Sequence, residues 1–206
     1  MALIHQATIT PTKLELVEQL LSTRGWAPQG ADELTQVAAY RFDDPAGEVG
    51  VETLLVRRGD GPVLQVPLAY RGAPTAGAEE HLVGTMEHSV LGRRWVYDAC
   101  GDPVWAQGLA TTVLTGGREA EEVVDEDGTL VPRRATAQVH GSGRPGTEVP
   151  VLSRPECRDG ELTVVRAAGL ELVLARVVGT AVTAEETLTG RWDGARDTVL
   201  AGVRRA

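Results

Sequence analysis

Residues 37–70, with the sequence VAAYRFDDPAGEVGVETLLVRRGDGPVLQVPLAY, have the pattern of three consecutive antiparallel strands. Apolar and β-branched residues recur over 37–42, 49–57 and 63–70, which is typical of strands with at least one buried face. The two connections, DDPAG and GDGP, contain the proline and glycine that tight turns require. Pro67 cannot donate to a strand ladder, so it predicts a sheet edge or a bulge within the third strand.

Two segments before these strands predict a strand and a helix. Residues 2–9 alternate in the manner of a strand. Thr10 can then cap a helix in which Pro11 takes the first position, where its missing N–H has no cost. Gly25 predicts the end of that helix, because glycine tolerates the left-handed conformation of a helix C-terminus.

The segments that follow predict a hairpin and a second helix. Residues 80–90 and 93–98 have strand character. Asp102 can cap a helix with Pro103 at its first position, and the apolar pattern continues to Leu114. Residues 1–117 therefore predict an α+β domain with a curved antiparallel sheet and two or three helices.

The remainder of the chain, residues 118–206, predicts a mostly β domain that can share a continuous sheet with the first. The clearer strand patterns cover three segments, residues 161–166, 170–178 and 198–204, and residues 187–192 have a weaker strand pattern. Residues 119–128 are acidic and residues 133–150 are rich in Gly, Arg and Thr, which indicates loops or weak edge strands.

Composition disfavours several classes of function. The formal charge of −9 and the pI near 5.0 are unsuited to nucleic acid or to an anionic membrane surface, which attract a surplus of Lys and Arg. No apolar run approaches the roughly 20 residues that span a bilayer, and the N-terminal residues lack a signal-peptide pattern. We therefore expect a cytoplasmic protein. Its two cysteines are too few for a disulfide framework or a Cys-only zinc site.

The basic residues disfavour phosphoryl transfer. Lys13 is the one lysine of the sequence, and there is no asparagine. Phosphoryl-transfer enzymes use a lysine on the nucleotide phosphates, and kinase-type sites use an asparagine on one of the metal ions. Lys13 falls in the first turn of the predicted surface helix, which is a poor position for a phosphate ligand. We therefore expect no catalytic residues, no metal site and no cofactor.

Three motifs have both a functional and a structural interpretation. His81 and His88 are seven residues apart, so they fall on opposite faces of a strand, and His88 is better explained as a hydrogen-bonded core histidine than as a metal ligand. Residues 141–143, GSG, resemble a phosphate-binding loop but more often form a turn. Cys100, just before a helix N-terminus, can have a lowered thiol pKa or can be a part-buried structural thiol.

Aromatic and charged residues concentrate around the predicted hairpin. Aromatic rings beside arginines and a carboxylate suit sugar stacking or a partner surface, although the rim of a sheet core has the same composition. The candidate binding residues for a ligand or a partner are Tyr70, Arg71, Arg94, Trp95, Tyr97 and Asp98.

The same segments resemble a known family. Residues 66–74 (VPLAYRGAP), 84–98 (GTMEHSVLGRRWVYD) and 102–104 (DPV) are similar to the N-terminal cap domain of actinobacterial maltokinases. Residues 41–48 (RFDDPAGE) resemble cap-like relatives that occur without a complete kinase and that can be labelled as α-glucan branching proteins. Nothing in these residues matches branching chemistry.

The resemblance has implications for fold and function. Maltokinases transfer phosphate from ATP to maltose, in metabolism linked to α-glucan, trehalose and glycogen, and their cap packs on the kinase N-lobe without supplying catalytic residues. Residues 118–206 are expected to resemble the intermediate subdomain of a kinase N-lobe, and the catalytic lobe is expected to be absent. The expected function is a non-catalytic accessory whose partner is a kinase or an α-glucan or trehalose enzyme.

Two other functions remain open from the sequence. The chain can bind carbohydrate directly through Tyr70, Arg71, Trp95 and Tyr97, or it can be a glucan-modifying enzyme that uses Asp98 and Glu87. The sequence leaves the oligomeric state open.

Overall fold

The computed structural model describes residues 2–4, 7–126 and 129–206. These residues form fifteen strands and two α-helices, so the chain is mostly β within the broad α+β class. The helices are α1 (Lys13–Ser22) and α2 (Pro103–Thr115). The strands are β1 (Ala2–Ile4), β2 (Ile9–Thr10), β3 (Leu34–Phe42), β4 (Gly50–Arg58), β5 (Val63–Arg71), β6 (Leu82–His88), β7 (Gly92–Asp98), β8 (Glu122–Glu126), β9 (Thr129–Arg133), β10 (Gln138–Gly141), β11 (Glu156–Arg158), β12 (Leu162–Ala167), β13 (Leu170–Ala175), β14 (Glu186–Trp192) and β15 (Ala195–Arg205).

The first sheet is antiparallel, with the strand order β2-β6-β7-β5-β4-β3, and it is curled. The three predicted consecutive strands are confirmed as β3, β4 and β5. Helix α1 covers one face of this sheet and buries Leu16, Val17 and Leu20 against Leu54 and Val66. Burial of such side chains contributes about 1.5–3 kcal/mol each, which explains why a ten-residue helix is stable here.

Pro67 lies in the interior of β5, at neither an edge nor a bulge. On one side it is opposite Thr53 of β4. On the other side, β5 pairs with β7 from Leu68 onward, and Leu64 forms a bridge to Val177 of the second half. Pro67 therefore sits between two pairings, where its missing N–H costs no ladder bond. The prediction of an edge or a bulge was wrong for this reason.

Helix α1 begins two residues later than the sequence predicts. Thr12, and not Thr10, is the N-cap: its hydroxyl accepts the Glu15 N–H at 3.2 Å, and the Glu15 carboxylate accepts the Thr12 N–H at 2.6 Å. This reciprocal pair is a capping box, which satisfies two otherwise unpaired donors. The helix ends at Ser22, before Gly25. The predicted strand over residues 2–9 divides between β1 and β2, in different sheets, and its residues 5–6 lie outside the described part of the chain.

The second sheet is also antiparallel, with the order β10-β14-β15-β13-β12-β11. It packs with α2 and with the face of the first sheet opposite to α1 into one hydrophobic core, which includes Trp105, Leu109, Leu172 and Leu200. The prediction for α2 is confirmed: Asp102 accepts the Val104 N–H at 2.8 Å, and the helix ends at a left-handed Gly116.

The GSG segment at residues 141–143 is part of the packing against α2. A Cβ on Gly141 would overlap the Thr112 carbonyl oxygen, and one on Gly143 would overlap that of Leu114. The Gly143 N–H donates to the Val113 carbonyl at 2.9 Å. Glycine is therefore required at both positions, because the chain at the end of β10 passes directly against the backbone of the last turn of α2. The carbonyl groups of that turn have no partner within the helix and need donors from outside it.

A small third sheet has the order β1-β8-β9, and Glu122 of β8 lies 3.8 Å from Arg41 of β3 in the first sheet. β1 runs parallel to β8, and β9 is an exposed edge strand. Residues 119–128 and 133–150 were predicted as loops or weak edge strands, and their described residues include β8 and β10. No helix in the described ranges is long and apolar enough to cross a bilayer.

Candidate functional site

A buried carboxylate, Glu52, is the centre of a polar cluster on the α1 face of the first sheet. It is 6 % exposed. Lys13 Nζ lies 2.6 Å from Glu52 Oε2, the Tyr70 hydroxyl donates to the same oxygen at 3.0 Å, and Arg41 Nη2 lies 3.0 Å from Oε1. Both carboxylate oxygens thus have charged or hydroxyl donors.

The strand register assembles this cluster. Arg41 of β3 is directly opposite Glu52 of β4, and Tyr70 of β5 is opposite Gly50. The Tyr70 ring lies over Gly50, where a Cβ would be 3.5 Å from the ring. Lys13 is the first residue of α1, so the Thr12 cap sets its position.

The charges within this cluster are fixed by their neighbours. Burial raises the pKa of Glu52, but the charges of Arg41 and Lys13 and the hydrogen bonds from Lys13 and Tyr70 outweigh it and lower the pKa to about 2. Burial, together with the charge of Glu52, raises the pKa of Tyr70 well above its usual value. Glu52 is therefore an anion and Tyr70 a neutral hydrogen-bond donor at neutral pH.

A cleft of about 640 Å³ opens above the cluster. The basic and aromatic side chains that border it come from α1, β3, β5, the β6–β7 hairpin and β9; they are Lys13, Arg41, Phe42, Tyr70, His88, Arg94 and Arg133. The acidic residues at its border are Asp43, Asp44 and Glu48. A volume of this size is within the range of small-molecule sites, and the mixture of both charge signs suits a hydroxyl-rich or zwitterionic ligand better than a strongly charged one.

Arg94 and His88 occupy the hairpin side of the cleft. Arg94 Nη2 donates to the Leu91 carbonyl at 2.6 Å, and its Nε is buried without a hydrogen bond to the described residues. His88 Nδ1 accepts the backbone N–H groups of Val90 and Leu91 at 3.2 and 3.1 Å. His88 is thus hydrogen-bonded as predicted, but it stabilises the hairpin turn and is not a core residue.

A bulge interrupts the alternation of buried and exposed residues in β6. The register of β6 against β7 changes between Leu82 and Gly84. Val83 is consequently buried with Met86, whereas Leu82 is exposed. Strict alternation would place Leu82 on the same face as Met86, and the bulge breaks that alternation.

A second buried ion pair lies at the other end of the same face. The Arg176 guanidinium, from the residue after β13, donates to both oxygens of Asp98 at 2.8 and 2.6 Å, and Arg24 is 3.7 Å from Asp98. Arg176 also contacts the Trp26 ring, at 5.3 Å from its centroid. Burial raises the pKa of Asp98, but Arg176 outweighs it and the pKa is lowered. This pair ties the two halves of the chain together.

The six predicted binding residues do not form one surface. Tyr70 and Arg94 border the cleft. Arg71 pairs with Asp102, the α2 cap, at 2.7 Å, and Trp95 packs against the larger core. Two of the six are buried, Tyr97 and Asp98. Because Arg94 and Asp98 are four residues apart on β7, they are separated by about 13 Å along the strand.

The carboxylates proposed for an enzymatic role do not converge. Glu87 is exposed at the turn end of the hairpin, where it pairs with Arg93 at 2.7 Å. Asp98, five residues beyond Arg93, is about 16 Å further along β7 and is already paired with Arg176. The hypothesis that Glu87 and Asp98 form a catalytic pair is therefore wrong. Within the described ranges, no group of three or more His, Cys, Asp or Glu side chains could hold a metal ion.

Lys13, Arg41 and Glu52 were not predicted as site residues from the sequence. A usable signal was present, because Arg41 and Glu52 lie within strands whose neighbours are apolar. A charged residue at such a position is seldom buried unless it is paired.

Comparison with protein families supports the resemblance found in the sequence. Residues 21–102 match the model of the maltokinase N-terminal cap domain. This match confirms the suspected cap domain over that region, which includes β3 to β7 and the cleft residues Arg41, Glu52, Tyr70 and Arg94. The chain matches no curated protein.

Proposed function

We propose that this protein is a non-catalytic, cap-like accessory of maltose and α-glucan metabolism that acts by binding a protein partner. The observation that carries the proposal is the match of residues 21–102 to the maltokinase cap domain. A cap domain packs beside a kinase, so the proposed partner is a sugar kinase or another enzyme of α-glucan metabolism. The second sheet takes the place of a kinase N-lobe subdomain in this proposal.

The state of Lys13 supports a role without phosphoryl transfer. The one lysine of the sequence donates to a buried carboxylate at 2.6 Å. A lysine in this ion pair is not available to hold nucleotide phosphates, because Glu52 has already neutralised its charge.

The surface around the cleft supports docking of a protein. Leu91 of the hairpin and Arg133 of β9 both border the cleft. In the same hairpin and the same strand, Val90 is 56 % and Leu130 is 52 % exposed. Exposed apolar side chains beside a polar cleft are typical of interaction surfaces.

A binding experiment with a matched pair of variants tests this proposal. Leu91 and Leu82 are each 43 % exposed, at opposite ends of the β6–β7 hairpin. We expect Leu91→Asp to weaken binding to a purified maltose kinase at least about tenfold, the equivalent of about 1.4 kcal/mol, and Leu82→Asp to leave it unchanged. Calorimetric titration of the full chain measures both. Undetectable binding by the unsubstituted protein, or equal effects of the two variants, would contradict the proposal.

A second function, direct carbohydrate binding, is favoured by the cleft itself. Tyr70, Arg94 and Lys13 offer an aromatic ring and hydrogen-bond donors within about 640 Å³. Titration with maltose, trehalose and longer glucans tests it. We expect Arg94→Met to abolish the heat of binding and Arg93→Met, an exposed neighbour on β7, to retain it. The absence of a response to every glucan would reject this function.

A further inference from the structure

The two cysteines of the chain lie in contact, although they are far apart in sequence. Cys100 belongs to the short 3-10 helix Ala99–Gly101 that follows β7, and Cys157 is the middle residue of β11. Cys157 packs against the buried cluster that contains Cys100, and β11 contacts the 3-10 helix. Both thiols are free.

The two thiols differ in exposure. Cys100 is completely buried, whereas Cys157 is half-buried on the edge strand of the second sheet. The neighbouring Cys100 side chain lowers the pKa of Cys157 despite its burial, and burial raises the pKa of Cys100. Cys157 is therefore the thiol that solvent reaches and that ionises first, which are the two properties of a reactive cysteine.

We propose that Cys100 and Cys157 form a redox-modification site, in which a small-molecule disulfide converts the thiol pair into an intramolecular disulfide. This inference is independent of the proposed function, because it uses neither the cleft nor a partner. Cys157 is the attacking residue and Cys100 the resolving residue.

The exchange is balanced with oxidised glutathione as the oxidant. The Cys157 thiolate attacks one sulfur of the reagent, the reagent S–S bond breaks, and one glutathione thiolate leaves and takes up a proton. Cys100 then loses its proton and attacks the Cys157 sulfur, which releases the second glutathione. Two protein thiols and one small disulfide thus become one protein disulfide and two small thiols, by thiol–disulfide exchange.

The new bond would connect the two halves of the chain. Cys100 follows β7 of the first sheet, next to Asp98, and Cys157 lies on a three-residue edge strand paired with β12. A short edge strand has few ladder bonds, so a covalent link constrains it strongly. Because the bond closes a long loop, we expect it to raise the thermal midpoint of the oxidised protein.

The test is incubation of the full native chain with graded ratios of oxidised to reduced glutathione, followed by intact mass and peptide mapping. The expected result is a protein that loses two hydrogen atoms, carries no glutathione and has a Cys100–Cys157 linked peptide. Cys100→Ser should instead stop at a stable mixed disulfide on Cys157. Cys157→Ser should remain unmodified, because its remaining thiol is buried.

Three outcomes would overturn the proposal. They are a persistent glutathione adduct on Cys157 of the unsubstituted chain, a disulfide between two chains, and no oxidation under conditions that oxidise a reference dithiol. Each variant is first compared with the unsubstituted chain by circular dichroism. If a serine variant does not fold, peptide mapping of the unsubstituted chain still decides among these outcomes.

Discussion

Replacement of Arg176 by methionine should destabilise the protein strongly. Arg176 is fully buried and gives two hydrogen bonds to Asp98 and a third, from Nε at 3.0 Å, to Thr163. Methionine retains much of the apolar volume but leaves the Asp98 carboxylate buried without its main partner. The variant thus separates the charge interaction from packing.

The expected loss follows from the geometry. Removal of one partner from a buried ion pair costs about 3–5 kcal/mol. Arg24, at 3.7 Å, remains close to Asp98 and compensates in part. We therefore expect a decrease of about 3 kcal/mol in the free energy of unfolding, which is a large fraction of the stability of an ordinary domain.

Urea unfolding followed by tryptophan fluorescence and circular dichroism measures this loss. The control is Arg166→Met on neighbouring β12, where the arginine is 62 % exposed and pairs with Glu171; an exposed pair contributes about 0–1 kcal/mol. The double variant Asp98→Asn/Arg176→Met should cost less than the sum of the single variants by at least about 1 kcal/mol. A loss for Arg176→Met no larger than that of the control would refute the reasoning.

Three further changes test other parts of the structure by the same unfolding measurement. The pKa of Glu52 is about 2 in the folded protein and 4.5 in the unfolded chain, so its ionisation stabilises the fold fully above pH 4.5 and this stabilisation is lost as the pH falls towards 2. The stabilisation is on the order of 3 kcal/mol. If Glu52→Gln leaves the loss of stability at acid pH unchanged, the prediction is contradicted. Gly141→Ala should lower the free energy of unfolding by about 1–3 kcal/mol, because its new Cβ would overlap the backbone of α2. Gly25→Ala, which has open space around it, should change that free energy by no more than about 0.5 kcal/mol. Equal effects of the two variants would exclude the close approach of Gly141 to α2. Asp102→Ala removes both the α2 cap and the partner of Arg71, and it should lower the free energy of unfolding by about 1–2 kcal/mol. A smaller loss than that caused by an alanine substitution at an exposed position would show that the cap is dispensable.

Local signals in the sequence predicted those elements whose determinants lie next to each other. Helix α2 has its cap at Asp102 and its proline at position 103, as expected, and it ends at Thr115, one residue beyond the predicted apolar pattern. The strands β3 to β5 were predicted because turn residues separate them. Their exact ends differ by up to three residues.

The remainder depended on contacts between distant residues. Pro67 is tolerated because β5 changes partner beside it, and a single strand pattern does not contain that information. The bulge between Leu82 and Gly84 interrupts the alternation of β6, and it too depends on the pairing with a neighbouring strand, β7. Strands β10 and β11 are short and polar, so their pairing is set by the neighbouring strands and by α2.

The candidate site was only partly predictable. Tyr70 and Arg94 were identified through the aromatic and basic composition of the hairpin, and both border the cleft. Glu52 and Arg41 were missed because their pairing depends on the register of β3 and β4. The Cys100–Cys157 contact joins a turn after β7 to a strand of the second sheet, and no sequence spacing predicts it.

The most direct test of the account is the release of ADP from ATP, magnesium and maltose in the presence of the purified full chain. A protein whose one lysine is bound to Glu52 should give a rate equal to the protein-free blank, and Lys13→Met should not change it. Sustained ADP release with formation of maltose phosphate, abolished by Lys13→Met, would contradict the account.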